Sequence, residues 1–176
     1  PSGFVKTISS RFSLSIILSL NSYISLNFQR VSTWSNGNGI LPGNIIFEGV
    51  YLEHTLEHLY PFEAIKLLSE IYRVLRPNGI VRVTVPDLDL YIREYKKKNK
   101  SKSFKKFENG CEMIWYLTQN FNHYSVWNFD MLKLQLKKNK FTNIKKQKFK
   151  KGNNKNILLD RKDRSHETLY VEAKKI

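Results

Sequence analysis

Between Phe47 and Tyr91 the spacing of hydrophobic positions changes repeatedly within one short stretch. Phe47–Leu52 is a short run with β-branched and aromatic members, which predicts a strand. Ala64, Leu67, Leu68, Ile71, Tyr72 and Leu75 then recur at helical spacing, which predicts a helix from Pro61 to Arg76. Proline suits the first helical turn, where its missing N–H is not needed. Arg73 and Arg76 suit the negative end of the helix. Pro77-Asn78-Gly79 predicts a turn, Ile80–Val85 a second strand, and Asp87 the cap of a further helix. Two strands joined by a crossover helix form a parallel βαβ unit. Open parallel sheets bind ligands beyond the carboxyl ends of their strands. Chemistry is therefore expected around Tyr51–His58 and Pro86–Tyr91.

The flanking segments are read the same way. Phe12–Leu20 alternates in part and is compatible with a strand or a short helix, whereas Tyr23–Phe28 alternates well and predicts a strand. The stretch from Ser32 to Asn44 is dense in Gly, Asn and Ser and predicts a loop. Glu112–Asn120 predicts a short helix. Asn128 caps another, with Phe129, Leu132 and Leu136 as its apolar positions and Asn139 closing it in left-handed geometry. Phe141–Phe149 and Thr168–Ala173 predict a final antiparallel pair of strands around a turn at Gly152–Asn156. Residues 96–106 hold seven lysines in eleven positions, which predicts an exposed, mobile basic segment.

The pieces VYLEHTLEHL, EIYRVLRPNGIVRVTVPDL and the later HYSVW, FTNI and ETLYVEA resemble a class I S-adenosylmethionine-dependent methyltransferase. They are most similar to the small bacterial methyltransferases found among glycan-biosynthesis genes. The resemblance implies one α/β domain over residues 1–176. Its sheet would be Rossmann-like, doubly wound and mostly parallel, with a carboxyl-terminal antiparallel strand pair. Residues 1–30 would be a divergent or incomplete cofactor-loop region. It implies an enzyme that uses S-adenosylmethionine and methylates a small-molecule or glycan acceptor. By the same resemblance Ser10 stands where the glycine-rich loop belongs, Asn27 where an acid would hold the ribose, and Ser35 where an acid would meet the adenine. Tyr51, Leu52 and Glu53 fall beside the cofactor pocket, and Asp87, Tyr91 and Tyr124 beside the acceptor. His54 and His123 are the candidate bases, since an imidazole titrates near neutrality.

His54, Glu57 and His58 also invite a metal reading, because His54 and His58 would share a helix face. The zincin pattern requires a glutamate directly after the first histidine, and Thr55 stands there, so no metal is expected.

Charge adds a second function class. The chain carries a net charge of +15, with eight basic and eight acidic residues before Lys96 and all the excess after it. Such asymmetry fits a methyltransferase-like binding module that uses its basic half on an anionic partner, nucleic acid or an anionic glycan. Solvated lysine-rich faces fit it better, because the lysines are not interleaved with a nucleic-acid motif. Cys111 is the lone cysteine, which excludes an internal disulfide and fits a reducing, cytoplasmic setting. No apolar run reaches the length of a membrane span.

Overall fold

The computed structural model describes residues 47–176 and, as strands, Leu14–Ser19 and Tyr23–Phe28. These two strands are β1 and β2. They precede β3 (Phe47–Glu53), α1 (Pro61–Val74), β4 (Leu75–Pro86), α2 (Leu88–Lys96), α3 (Gly110–Thr118), α4 (Phe129–Lys138), β5 (Thr142–Gln147) and β6 (Thr168–Lys174). One six-stranded sheet runs in the order β1-β2-β3-β4-β6-β5. Its centre is parallel, β2 with β3 and β3 with β4, while β1 pairs with β2, and β6 with both β4 and β5, antiparallel. The α/β architecture is thus Rossmann-like, with the antiparallel carboxyl-terminal pair that the pattern predicts.

The βαβ unit forms for the reasons its sequence states. Pro61 opens α1, and Glu63 Oε2 accepts from the Tyr60 backbone N–H at 3.0 Å, meeting one of the orphan donors of the first turn. Ala64, Leu67, Leu68, Ile71 and Val74 are buried, each large one contributing about 1.5–3 kcal/mol. The helix ends at Val74, two residues earlier than predicted, because Leu75 is already extended and pairs with Phe47. The register shifts before Gly49 meets Ile80, and Asn78 takes φ 67° within that irregularity. Gly79 follows without a side chain, since a Cβ there would stand 2.9 Å from the Arg76 carbonyl oxygen.

One face of the sheet carries the main core. Val50 and Leu52 of β3, Val81, Val83 and Val85 of β4, and Leu169, Val171 and Ala173 of β6 pack there with α1 and with Leu132 and Leu136 of α4. The alternate positions of β4 point the other way. Arg82 and Thr84 are buried there, Arg82 against Asp160 and Glu172. A second cluster of Tyr91, Phe104, Phe107, Met113 and Leu117 joins α2 to α3.

Further local details differ from the sequence reading. Asn139 caps α4 with φ −87°, and it is Lys140 that takes the left-handed conformation, at φ 67°. The basic segment is exposed at its lysines except the half-buried Lys100, yet Phe104 is buried and meets the Tyr91 ring edge-on at 5.1 Å, while Glu94 accepts from Ser101 N at 2.8 Å. Phe104 and the Glu94–Ser101 bond therefore tie the lysine run to the body.

Candidate functional site at the carboxyl edge of the sheet

At the carboxyl edge β2 ends beside β3, with Asn27 and Glu53 in direct parallel register. Glu53 pairs in turn with Thr84 of β4, so three predicted or adjacent positions line one row. Glu53 is half-buried. Burial raises its carboxyl above the usual range, against the opposing pull of Arg161, His54 and Arg164. Tyr51 lies on the same face as Glu53 and is buried, and Leu52 is fully buried in the main core. Its side chain is committed to packing, and its carbonyl accepts from Thr84 Oγ1 at 3.2 Å. Ser10 and Ser35 lie outside the described residues.

Beyond Glu53 the chain turns sharply. His54 sits at φ 44°, uncommon for a residue with a Cβ, and its N–H donates to the Thr84 carbonyl at 2.9 Å. A short 3-10 turn, Leu56–His58, follows. The loop after α3 is clamped onto this turn through the main chain: Tyr124 and Ser125 N–H donate to the Glu57 carbonyl at 2.7 and 3.1 Å. Ser125 Oγ donates to the Leu56 carbonyl, and Trp127 Nε1 donates to Ser125 Oγ, each at 2.9 Å. These bonds deliver His123 to Glu57 and His58.

The result is a buried carboxylate surrounded by imidazoles. Glu57 is 1% exposed. His54 Nδ1 lies 3.0 Å from Glu57 Oε1, close but off the line of a straight hydrogen bond. Thr168 Oγ1 donates to the Arg164 carbonyl, so it accepts from His54 Nε2 at 2.9 Å. Burial works against the charge of Glu57, but His54 and His58 outweigh it and hold the carboxyl below its usual range. Burial lowers His58, with His123 acting in the same direction and Glu57 against it. The His58 and His123 rings meet edge-on at 4.8 Å.

The other predicted residues are placed as follows. Asp87 is buried and caps α2, its Oδ1 accepting from Asp89 N at 3.2 Å, with Lys146 Nζ 3.4 Å from Oδ2. Tyr91 is 1% exposed and donates its hydroxyl to Glu167 at 2.6 Å, which leaves it nothing to present to an acceptor. Tyr124 is exposed and stacks on Tyr60 at 4.6 Å, and Tyr60 on Phe62 at 6.1 Å, forming an aromatic shelf beside His123. The expected helix-face pairing of His54 with His58 does not form, because His54 precedes the 3-10 turn in left-handed geometry. His123 takes that place from a distant loop, which no local spacing signals. An apolar depression of about 380 Å³ between α2 and α3, lined by Ile92, Tyr95, Cys111, Ile114 and Trp115, lies apart from these groups.

No family profile matches the chain, and no curated protein matches it. Solved structures do. PigF, in a structure with SAH, has 13% sequence identity and a TM-score of 0.47, over 78% of this chain and 32% of its own. The methyltransferase SibL in its apo form has 16% identity and a TM-score of 0.49, over 80% of this chain and 35% of its own. A SAM-dependent methyltransferase from Archaeoglobus fulgidus has 16% identity and a TM-score of 0.45, over 76% and 61%. The chain thus spans between about a third and three fifths of the length of these proteins.

Proposed function

We propose that the chain binds S-adenosylmethionine along the carboxyl ends of β2 and β3 and transfers its methyl group to an oxygen or nitrogen acceptor. The observation that carries this reading is the register of Asn27 with Glu53 at the carboxyl ends of two parallel strands, the position where such sheets hold nucleosides. The sequence resemblance supports it independently.

Asn27 supplies an amide and Glu53 a carboxylate, both able to bond hydroxyl and ammonium donors. Burial disfavours the charge of Glu53, and a cationic or hydroxyl-rich ligand would relieve that cost. Ser10 and Ser35 belong to the same proposal, as loop and adenine contacts. The bound cofactor supplies an electrophilic methyl group on a sulfonium. The chain's task is to position the reactants and exclude water. In this reading His123 stands where the acceptor's proton leaves, while His54 is buried with Nε2 committed to Thr168 and Nδ1 to Glu57 and takes no proton. Tyr60 and Tyr124 offer exposed ring faces to the apolar side of a saccharide-linked acceptor.

Equilibrium dialysis with labelled S-adenosylmethionine tests this. Saturable binding is expected, weakened about tenfold or more in Glu53→Gln, the loss of one charge-assisted hydrogen bond. Absence of saturable binding at millimolar ligand overturns it and leaves the basic binding module, whose affinity for nucleic acid would fall steeply with salt.

A further inference from the structure

We propose that Glu57, His58 and His123 hold a divalent transition-metal ion of the zinc type, leaving one coordination position for water or an acceptor oxygen. One ligand atom from each of the three lies within 4.8 Å of the others. Tetrahedral coordination at zinc distances places ligand atoms about 3.4 Å apart. The side chains close that gap by moving about an ångström, within reach of a small torsional adjustment.

Two buried groups point into this cluster without a partner. Neither carboxylate oxygen of Glu57 receives a hydrogen bond among the described residues, although the side chain is almost wholly buried. A buried carboxylate oxygen left without a hydrogen-bond partner is costly. His54 approaches only Oε1, and at a bent angle, which leaves Oε2 for an ion. His123 Nδ1 lies 2.6 Å from the Leu117 carbonyl and must donate to it. That bond fixes the tautomer and turns the lone pair onto Nε2, which is buried with no partner among the described residues. A ring N–H tied to a carbonyl, with the lone pair of the other nitrogen left free, is the arrangement that orients a metal-binding histidine.

The donor set selects the ion. One carboxylate oxygen and two imidazole nitrogens suit zinc and its neighbours, and three protein ligands with an open position mark a reactive rather than a structural site. Calcium and magnesium prefer oxygen throughout. The inference does not rest on the methyl-donor reading, since no ligand atom comes from the Asn27–Glu53 row. With the ion in place His123 is a ligand rather than a free base, and an acceptor hydroxyl at the open position would be polarised directly.

The test uses the full chain without an affinity tag. Exposed Cys111 and His166 are replaced, Cys111→Ser and His166→Asn, to remove adventitious ligands. Calorimetric titration with Zn²⁺ should give one ion per chain at micromolar affinity or tighter. Co²⁺ should give visible bands of the intensity typical of four- or five-coordinate sites. Glu57→Gln and His123→Gln should each weaken Zn²⁺ binding by about tenfold or more. Circular dichroism confirms that each variant is folded. Where a variant is not, the cobalt spectrum of the parent protein decides. No stoichiometric zinc binding, unchanged affinity in both variants, or cobalt that stays octahedral overturns the proposal.

Discussion

Arg82 Nη2 lies 2.6 Å from Asp160 Oδ2, with neither side chain exposed to solvent. Nη1 of the same guanidinium meets Glu172 Oε1 at 3.0 Å, Nε donates to Asp160 Oδ1 at 2.8 Å, and the carbonyls of Lys148 and Lys151 accept its remaining protons. Burial works against the charge, but Asp160 and Glu172 outweigh it and hold the guanidinium more firmly protonated. One residue of a central strand thereby fastens the segment between β5 and β6 onto the sheet. Arg82→Ala would leave two carboxylates buried without a counter-charge. It should cost about 3–5 kcal/mol, read as a lowered denaturant midpoint. A midpoint near that of the parent would mean that this network does not fasten the segment.

Tyr91 and Glu167 make a smaller version of the same test. The hydroxyl donates to Glu167 Oε2 inside the second cluster, and Glu167 is itself buried. Tyr91→Phe keeps the packing and removes the donor, at about 1–3 kcal/mol. Were Tyr91 instead a substrate contact, stability would stay level and the acceptor KM would move.

Glu53 sets a pH dependence whose sign follows from its raised carboxyl. A folded-state pKa above the unfolded value stabilises the fold at low pH, and that contribution is lost as pH rises through the folded value. Glu53→Gln should therefore raise Tm at neutral pH and have little effect near pH 4, about the unfolded glutamate value. Thermal melts of both chains across that range check it. A Tm at neutral pH that falls in the variant contradicts the burial argument.

Asn128 caps α4 by accepting from Met131 N at 2.9 Å and also donates to Asp89 Oδ1 at 3.1 Å. Asn128→Ala should cost about 1 kcal/mol or somewhat more, because it removes the cap and a tie to α2 together. Asn128→Asp keeps the cap but sets two carboxylates against each other, so it should recover only part of that loss in a chemical melt.

Where an element depends on its own neighbours in sequence, the amino-acid order by itself was enough. The strand at Phe47, the helix from Pro61, the caps at Asp87 and Asn128 and the antiparallel final pair all follow from periodicity, turn chemistry and capping, which act over a few residues. The candidate site was legible as a rim and not as a constellation. His54, Glu57, His58 and His123 each stood out, yet the first three suggested a helix face that the left-handed turn at His54 prevents. Glu57 and His123 meet because main-chain bonds dock the loop after α3 onto a 3-10 turn far away in the chain. Arg82 meets Asp160 because the segment between β5 and β6 folds over the face of the paired strands β4 and β6 on which Arg82 lies. Such contacts arise when the whole sheet closes, and side-chain pairing across that distance leaves no periodic trace in the order of residues.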